Sequence, residues 1–474
     1  MAKENLPSVH FYDQDFVEVY DRTWVWIQDS WKPGTRGSGF EGNYLTYEDQ
    51  DTFHQYYSLI STFFLAYSNQ VYPAHSMLDF FYAKQEPNGA IRGEYALDDG
   101  TPVIHENNPE GIHPPLFAYA EFNIFNKVGN KKRLKESSEV IQRHFHWLEQ
   151  TCKQENGLYA VPVGATMMFN ALDERVYYPL SFNVQQAVNA LYLSYIGDIL
   201  NDKEMSFQYK RQYFTLKTRI NSKMWDEESG FYFDLDKQEQ QVQVKHIGAY
   251  WVLLAEIPNE DRVQRLIDHL KDPDSFGTDN PFPTLAVSEA NFSQQGEGYR
   301  GSVIPFLTYM VMKGLEKYKQ FDFARECAIR HLYFLLDTLH PDGKEIGDIY
   351  EAYLPMKEGA PVSSEVTNFP RKHFIPMAAI STVAMMIENV LGFDINLPKK
   401  TVDWIMPTLE EMGIEKLSLK RNLITILSNK NARGWEIRLE SEKLYYFTID
   451  ILDEKKHKTL PIPSGKCSML IDKL

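Results

Sequence analysis

Cysteine is scarce in this chain: three in 474 residues, at Cys152, Cys327 and Cys467. Three widely spaced thiols make neither a disulfide framework nor a metal-ligand set, so each reads as a small buried hydrophobe. Long apolar runs are missing as well. No stretch approaches the roughly 20 residues that cross a bilayer. The opening MAKENLPSVHFYDQDF lacks a basic segment leading into an apolar one, so no secretory signal is visible. A cytoplasmic location is the default expectation, with a periplasmic or secreted one open if a leader has been trimmed. Positive charge is in deficit: 49 Lys and Arg face 65 Asp and Glu, a formal net charge of −16. That balance disfavours nucleic acid and anionic membranes as partners and suits a neutral ligand. Low-complexity tracts and fixed-length repeats are also absent, which argues against a solenoid.

What the chain does have is helical periodicity. Between about residues 52 and 392, apolar residues recur at steps of three and four, as in Tyr56, Leu59, Phe63 and Tyr67. Eleven such segments fall near 52–68, 71–85, 114–128, 131–152, 181–201, 205–225, 244–256, 260–271, 301–318, 321–339 and 373–391. Gly, Asn and Pro punctuate them, as at Pro87-Asn88-Gly89. Helices in sequential pairs predict a mainly α fold, an (α/α)6 barrel or six-hairpin toroid. After Asp394 the pattern changes to alternating, β-branched stretches such as WEIRLES and KLYYFTIDILDE, which read as strands. The expected division is a barrel over 1–394 and a small β-rich region over 395–474.

The loops are long, aromatic and rich in Gly and Pro, notably 24–50, 86–113, 157–180, 275–300 and 341–371. Long loops on a rigid scaffold are where function tends to sit. Four of them carry candidates. Asp51 stands at a predicted helix start, where N-capping competes with a binding role. His113 opens His113-Pro114-Pro115. Tyr299 and Arg300 lie between glycines that let backbone approach a ligand, and Arg300 offers up to five donors. Glu351 sits in DIYEAYLP between Tyr350 and Tyr353, after the turn His340-Pro341-Asp342-Gly343. A carboxylate among rings is either a solvated loop acid or a base in a sugar-lined pocket. Trp24, Trp26, Tyr299, Tyr353 and Phe374 fall off the helical stripes, which favours a cleft that covers sugar C–H faces.

The order of these segments resembles glycoside hydrolase family 63 and its relatives, the mannosylglycerate hydrolases and trehalase-like enzymes. PPLFAYAEFNIFNKVGNKKRLKE, MWDEESGFYFD, YRGSVIPFLTYMVMKGLEKY, DIYEAYLPMKEG and KHFIPMAAISTVAMMIENVLG carry the likeness over about residues 40–395. The resemblance implies an (α/α)6 barrel and exo-acting, inverting hydrolysis of an α-linked glucoside or mannoside. It implies Glu351 as general base, with Asp51, His113 and Arg300 at the substrate, and the off-stripe rings Tyr299, Tyr353 and Phe374 are expected to bind substrate beside them. The general acid departs from the family pattern. Phe169 falls where the acid is expected if Asn170-Ala171 keep register, whereas a shifted register gives the role to Asp173. An inverting pair requires carboxyl groups roughly 6.5–9.5 Å apart. The alternative is a carbohydrate-binding protein on the same barrel that has lost its acid. No cofactor and no metal is expected, the partner is a small carbohydrate, and the oligomeric state stays open.

Overall fold

The computed structural model describes residues 5–340, 348–362, 369–406, 409–420, 422–443, 445–452, 456–462 and 464–470. Residues 341–343 of the expected turn lie outside them. The helices in chain order are α1 (Gln14–Ser30), α2 (Gln55–Leu65), α3 (Ser76–Ala83), α4 (Phe117–Val128), α5 (Lys131–Cys152), α6 (Leu180–Leu200), α7 (Lys203–Lys223), α8 (Trp251–Leu254), α9 (Glu260–Lys271), α10 (Pro305–Lys317), α11 (Phe321–Leu339) and α12 (Ile380–Val390), the last wound with π-type hydrogen bonds.

Burial sorts them into two layers. On α6, apolar and small residues cover nearly every direction, and all positions from Leu180 to Ser194 are buried. A helix that is apolar all round has to be enclosed by other elements. On α9, by contrast, only Val263, Leu266, Ile267 and Leu270 are buried, a single stripe beneath a charged outer face. Neighbour relations complete the ring: α2 packs on α4, α4 on α6, α6 on α8, α8 on α10, α10 on α12, and α12 returns to α2. The outer helices α3, α5, α7, α9 and α11 connect successive inner ones. This is a mostly helical (α/α)6 barrel followed by a β region, as expected.

The sixth outer helix is α1, and the sequence reading missed it. Residues 24–30 belong to α1 rather than to a loop, so Trp24 and Trp26 are helical. Asp13 caps its start by accepting from the Asp15 N–H, and Phe16, Val19, Tyr20, Thr23, Trp24 and Ile27 are its buried face. Thr23 Oγ1 meets Thr382 Oγ1 of α12 at 2.8 Å, joining the first helix to the last. A second correction concerns residues 52–54. They form a short strand paired with Glu94–Ala96, and His54 rather than Asp51 caps α2.

Close to its start, the chain also touches its far end. Ser8–His10 pairs antiparallel with Met412–Leu419, extending a five-stranded sheet that continues through Asn422–Asn431, Gly434–Ser441 and Gly465–Leu470. A four-stranded sheet holds Phe393–Asn396, Thr401–Met406, Tyr445–Ile451 and Lys456–Ile462. Among the described residues, no helix is long and apolar enough to cross a membrane.

Candidate functional site

Every segment that leads from an outer helix into an inner one ends at the same rim of the barrel, and backbone bonds tie these segments together. The N–H of Gln55 donates to Gly93 O, that of Ile247 to Thr284 O, that of Thr284 to Ser302 O, and that of Val303 to Tyr353 O. The N-termini of the inner helices therefore converge here, and their dipoles favour negative charge.

Glu351 lies in this rim. It is 2% exposed, so the solvated-loop reading of this acid does not hold. Its Oε2 accepts from the Arg371 N–H at 3.0 Å, its Oε1 from the Tyr57 hydroxyl at 3.2 Å, and the Arg371 guanidinium stands 3.4 Å from Oε1. Burial pushes the carboxyl above its ordinary 4.5, while the Arg371 charge, the backbone donor and Tyr57 pull it back. Arg371 is itself fixed over the Tyr47 ring, 5.1 Å from its centroid. A small hollow of about 10 Å³, lined in part by Tyr47, Gln50, His54 and Tyr57, opens beside this group.

The other expected residues separate into those that meet here and those that do not. Tyr299 is buried against Phe169 and Phe369, with centroids 5.0 and 5.2 Å away, and lies close enough for the Glu351 charge to raise its phenol further. Its N–H donates to Asn170 Oδ1 at 2.7 Å, which brings the 169–170 segment to the site. Arg300 keeps a buried Nε without a partner among the described residues, a donor available to a ligand. Asp51 is exposed and holds the rim through its carbonyl, which accepts from Leu97 N–H. His113 is buried with its ring 4.4 Å from that of His54, and burial pushes it down to about 3.

Three of the expected residues are held by other partners. Asp173 is bonded to Arg175 of its own turn at 2.8 and 3.0 Å, which holds the carboxyl below its ordinary value. A group kept ionised in this way is the wrong protonation state for a general acid. Tyr353 faces inward: its hydroxyl accepts from the Tyr350 N–H at 2.8 Å and its ring meets His331 edge-on. It braces the loop rather than lining a cleft. Phe374 stacks on Trp26 of α1, with centroids 5.6 Å apart, and anchors the loop after Arg371. Tyr57 bonds Glu351 directly, and Tyr47 and Tyr299 lie near enough for its charge to raise their phenols.

A larger cavity of about 350 Å³ lies at the other end of the barrel, bordered by Lys313, Glu316 and Glu388. Its charges are committed to each other. Glu388 accepts from Tyr67 and Tyr309 at 2.6 and 2.8 Å and pairs with Lys127 and Lys313. Those partners hold it down to about 2, so it serves as a structural ion and not as an acid or base near neutral pH.

Two family models match the sequence: the mannosylglycerate hydrolase MGH1-like glycoside hydrolase domain over residues 165–365, and the trehalase C-terminal domain over residues 392–474. An uncharacterized protein of Borreliella burgdorferi is 48% identical over 479 residues, spanning 100% of both chains. Among solved structures, a sialidase superposes with a TM-score of 0.72 at 15% identity over 94% of this chain, which amounts to 41% of the sialidase chain. The GH63 mannosylglycerate hydrolase from Thermus thermophilus, in complex with glucose, superposes with a TM-score of 0.61 at 17% identity, covering 77% of this chain and 100% of that one.

Proposed function

We propose that this chain, which matches the MGH1-like glycoside hydrolase model over residues 165–365 and the trehalase C-terminal model over residues 392–474, cleaves an α-linked glucoside or mannoside from the non-reducing end with inversion. The observation that carries this reading is Glu351: a buried carboxylate, aimed by Arg371 and Tyr57. In that setting it would take a proton from a water attacking the anomeric carbon. Tyr299 and Arg300 would bind ligand hydroxyls beside it. The glucose complex of the Thermus thermophilus mannosylglycerate hydrolase supports a small carbohydrate as the ligand class.

One observation favours a second reading, a carbohydrate binder without turnover. Phe169 fills the position where the resemblance expects the acid, edge-on against Tyr299, and Asp173 is committed to Arg175. The two readings separate by leaving group. A glycosidic oxygen needs a proton to depart, whereas fluoride departs with little help, so base catalysis alone suffices for a glycosyl fluoride.

The test offers the protein α-linked gluco- and manno-disaccharides, α-mannosylglycerate and the α-glycosyl fluorides, and follows released sugar and anomeric configuration by NMR. Disaccharide cleavage to the inverted anomer is the expected result. Cleavage of the fluorides alone would mean that the acid is lost and the base retained. Binding with no release from any of them would leave the binder.

A further inference from the structure

His113 is a buried and poorly satisfied polar group near the candidate site. It is 3% exposed, and its Nδ1 has no hydrogen-bond partner among the described residues. The Nε2 stands 3.7 Å from Glu94 Oε1, too far for a hydrogen bond. His54 Nε2 stands 3.8 Å from that same oxygen. Two imidazole nitrogens and a carboxylate oxygen thus lie within 4.8 Å of one another without touching. Atoms bound to one zinc ion at about 2.0–2.2 Å and tetrahedral angles stand roughly 3.3–3.6 Å apart. The two nitrogen–oxygen distances are 0.1–0.5 Å longer than that figure, and the bound of 4.8 Å on the whole set means that the ligands draw together on binding.

The surrounding structure holds the three groups in place. His54 and Glu94 sit opposite each other in the register of the two short strands. Thr52 Oγ1 donates to Glu94 Oε2 at 3.2 Å, and the half-exposed His105 contacts Oε1 at 3.1 Å, so the carboxylate is oriented from outside the cluster. The His113 ring lies where a Cβ on residue 93 would be, 2.2 Å from its nearest carbon, so only glycine fits there. Two contacts compete with ligation: the Tyr57 N–H to His54 Nδ1, long at 3.4 Å, and the half-exposed His105 on Glu94 Oε1, which an ion would displace toward solvent.

We propose that His54, Glu94 and His113 form a binding site for a divalent transition-metal ion, with zinc the best match. Imidazole nitrogens favour such an ion over calcium or magnesium, which prefer oxygen. Three protein ligands leave a coordination position for water or a hydroxyl oxygen. The site is one aromatic ring from Glu351: the His54 ring stacks on Tyr57 at 4.1 Å, and the Tyr57 hydroxyl bonds the carboxylate.

The test strips the whole protein with EDTA, dialyses it against zinc, and measures metal by atomic emission. Cobalt is added separately for its visible absorption band. One zinc per chain is expected, with a zinc-dependent rise in Tm. Glu94→Gln and His113→Gln should each weaken zinc by about 100-fold or more, above the range that outer-shell changes produce. His146→Ala, at a position with 66% of its side chain exposed, is the control that should not. Circular dichroism in EDTA checks that each variant is folded, and either variant alone is decisive if the other is not. Failure of the wild type to retain stoichiometric zinc would overturn the proposal, as would zinc retained equally by both folded variants. None of these readouts depends on hydrolysis.

Discussion

Glu351 shows how a single carboxyl is tuned by opposing effects. Burial raises its pKa and Arg371 lowers it, so the group is a base above its pKa and inert below. The low-pH limb of kcat/KM should therefore lie above the ordinary glutamate value of 4.5. Replacing Arg371 by Leu removes the main opposing charge and should move that limb to still higher pH. Arg371→Lys should restore part of the shift, and a pH profile on the best substrate or fluoride reads both. Glu351→Gln should lower turnover by about 10²–10⁴-fold, the usual size of a general-base contribution. A variant that keeps near-wild-type rate removes Glu351 from the role. Glu351 was legible from its ring-flanked loop, but Arg371 and Tyr57 were not. The residue pairs are separated by 20 and 294 positions, so nothing local marks them. The run Pro370-Arg371-Lys372-His373 was the one visible hint of a cation beside an acidic loop.

At the scale of elements, the barrel was read from its inner helices. Their spacing of apolar residues survives any choice of window because almost every position is buried. The missed outer helix α1 has a narrower stripe, interrupted by charge at Glu18, Asp21 and Arg22, and its tryptophans were taken for cleft residues. Its signature was present in the cap at Asp13 and the steps through Phe16, Val19, Tyr20, Thr23 and Ile27. Since α1 covers α12, whose loop presents Arg371, cavities in this seam should be felt at the rim. Ile27 is fully buried, and Ile27→Ala should cost about 2–5 kcal/mol, the range for deleting a buried aliphatic side chain. Chemical denaturation gives the number. A cost below about 1 kcal/mol, the surface-like range, would mean that the seam is loosely packed.

For the molecule as a whole, buried histidines set an acid limit on stability, and His331 and His144 do so away from the candidate site. His331 is held between Asn280 Oδ1 and Ser381 Oγ at 3.0 Å each, and burial pushes it down to about 3. Burial pushes His144 down to about 4. Both are neutral when folded and protonate near the ordinary 6.5 when unfolded, so the unfolded chain binds more protons below that value. Their contribution is complete above 6.5 and lost as the pH falls towards 4. Two protons correspond to a slope of about 2.7 kcal/mol per pH unit across that window, to which His113 and His54, also pushed down by burial, add. Stability curves from pH 7 to 4.5 should steepen accordingly, and His331→Gln should flatten them by about 1.4 kcal/mol per pH unit.

The hydroxyl pair Thr23–Thr382 spans 359 positions, and this has a consequence for synthesis. At about 10 residues per second, the N-terminal helix waits roughly half a minute on the ribosome before its partner emerges. Throughout that interval the nascent toroid is an open arc with an uncovered apolar edge. Until α12 is made, that edge is open to association with other chains.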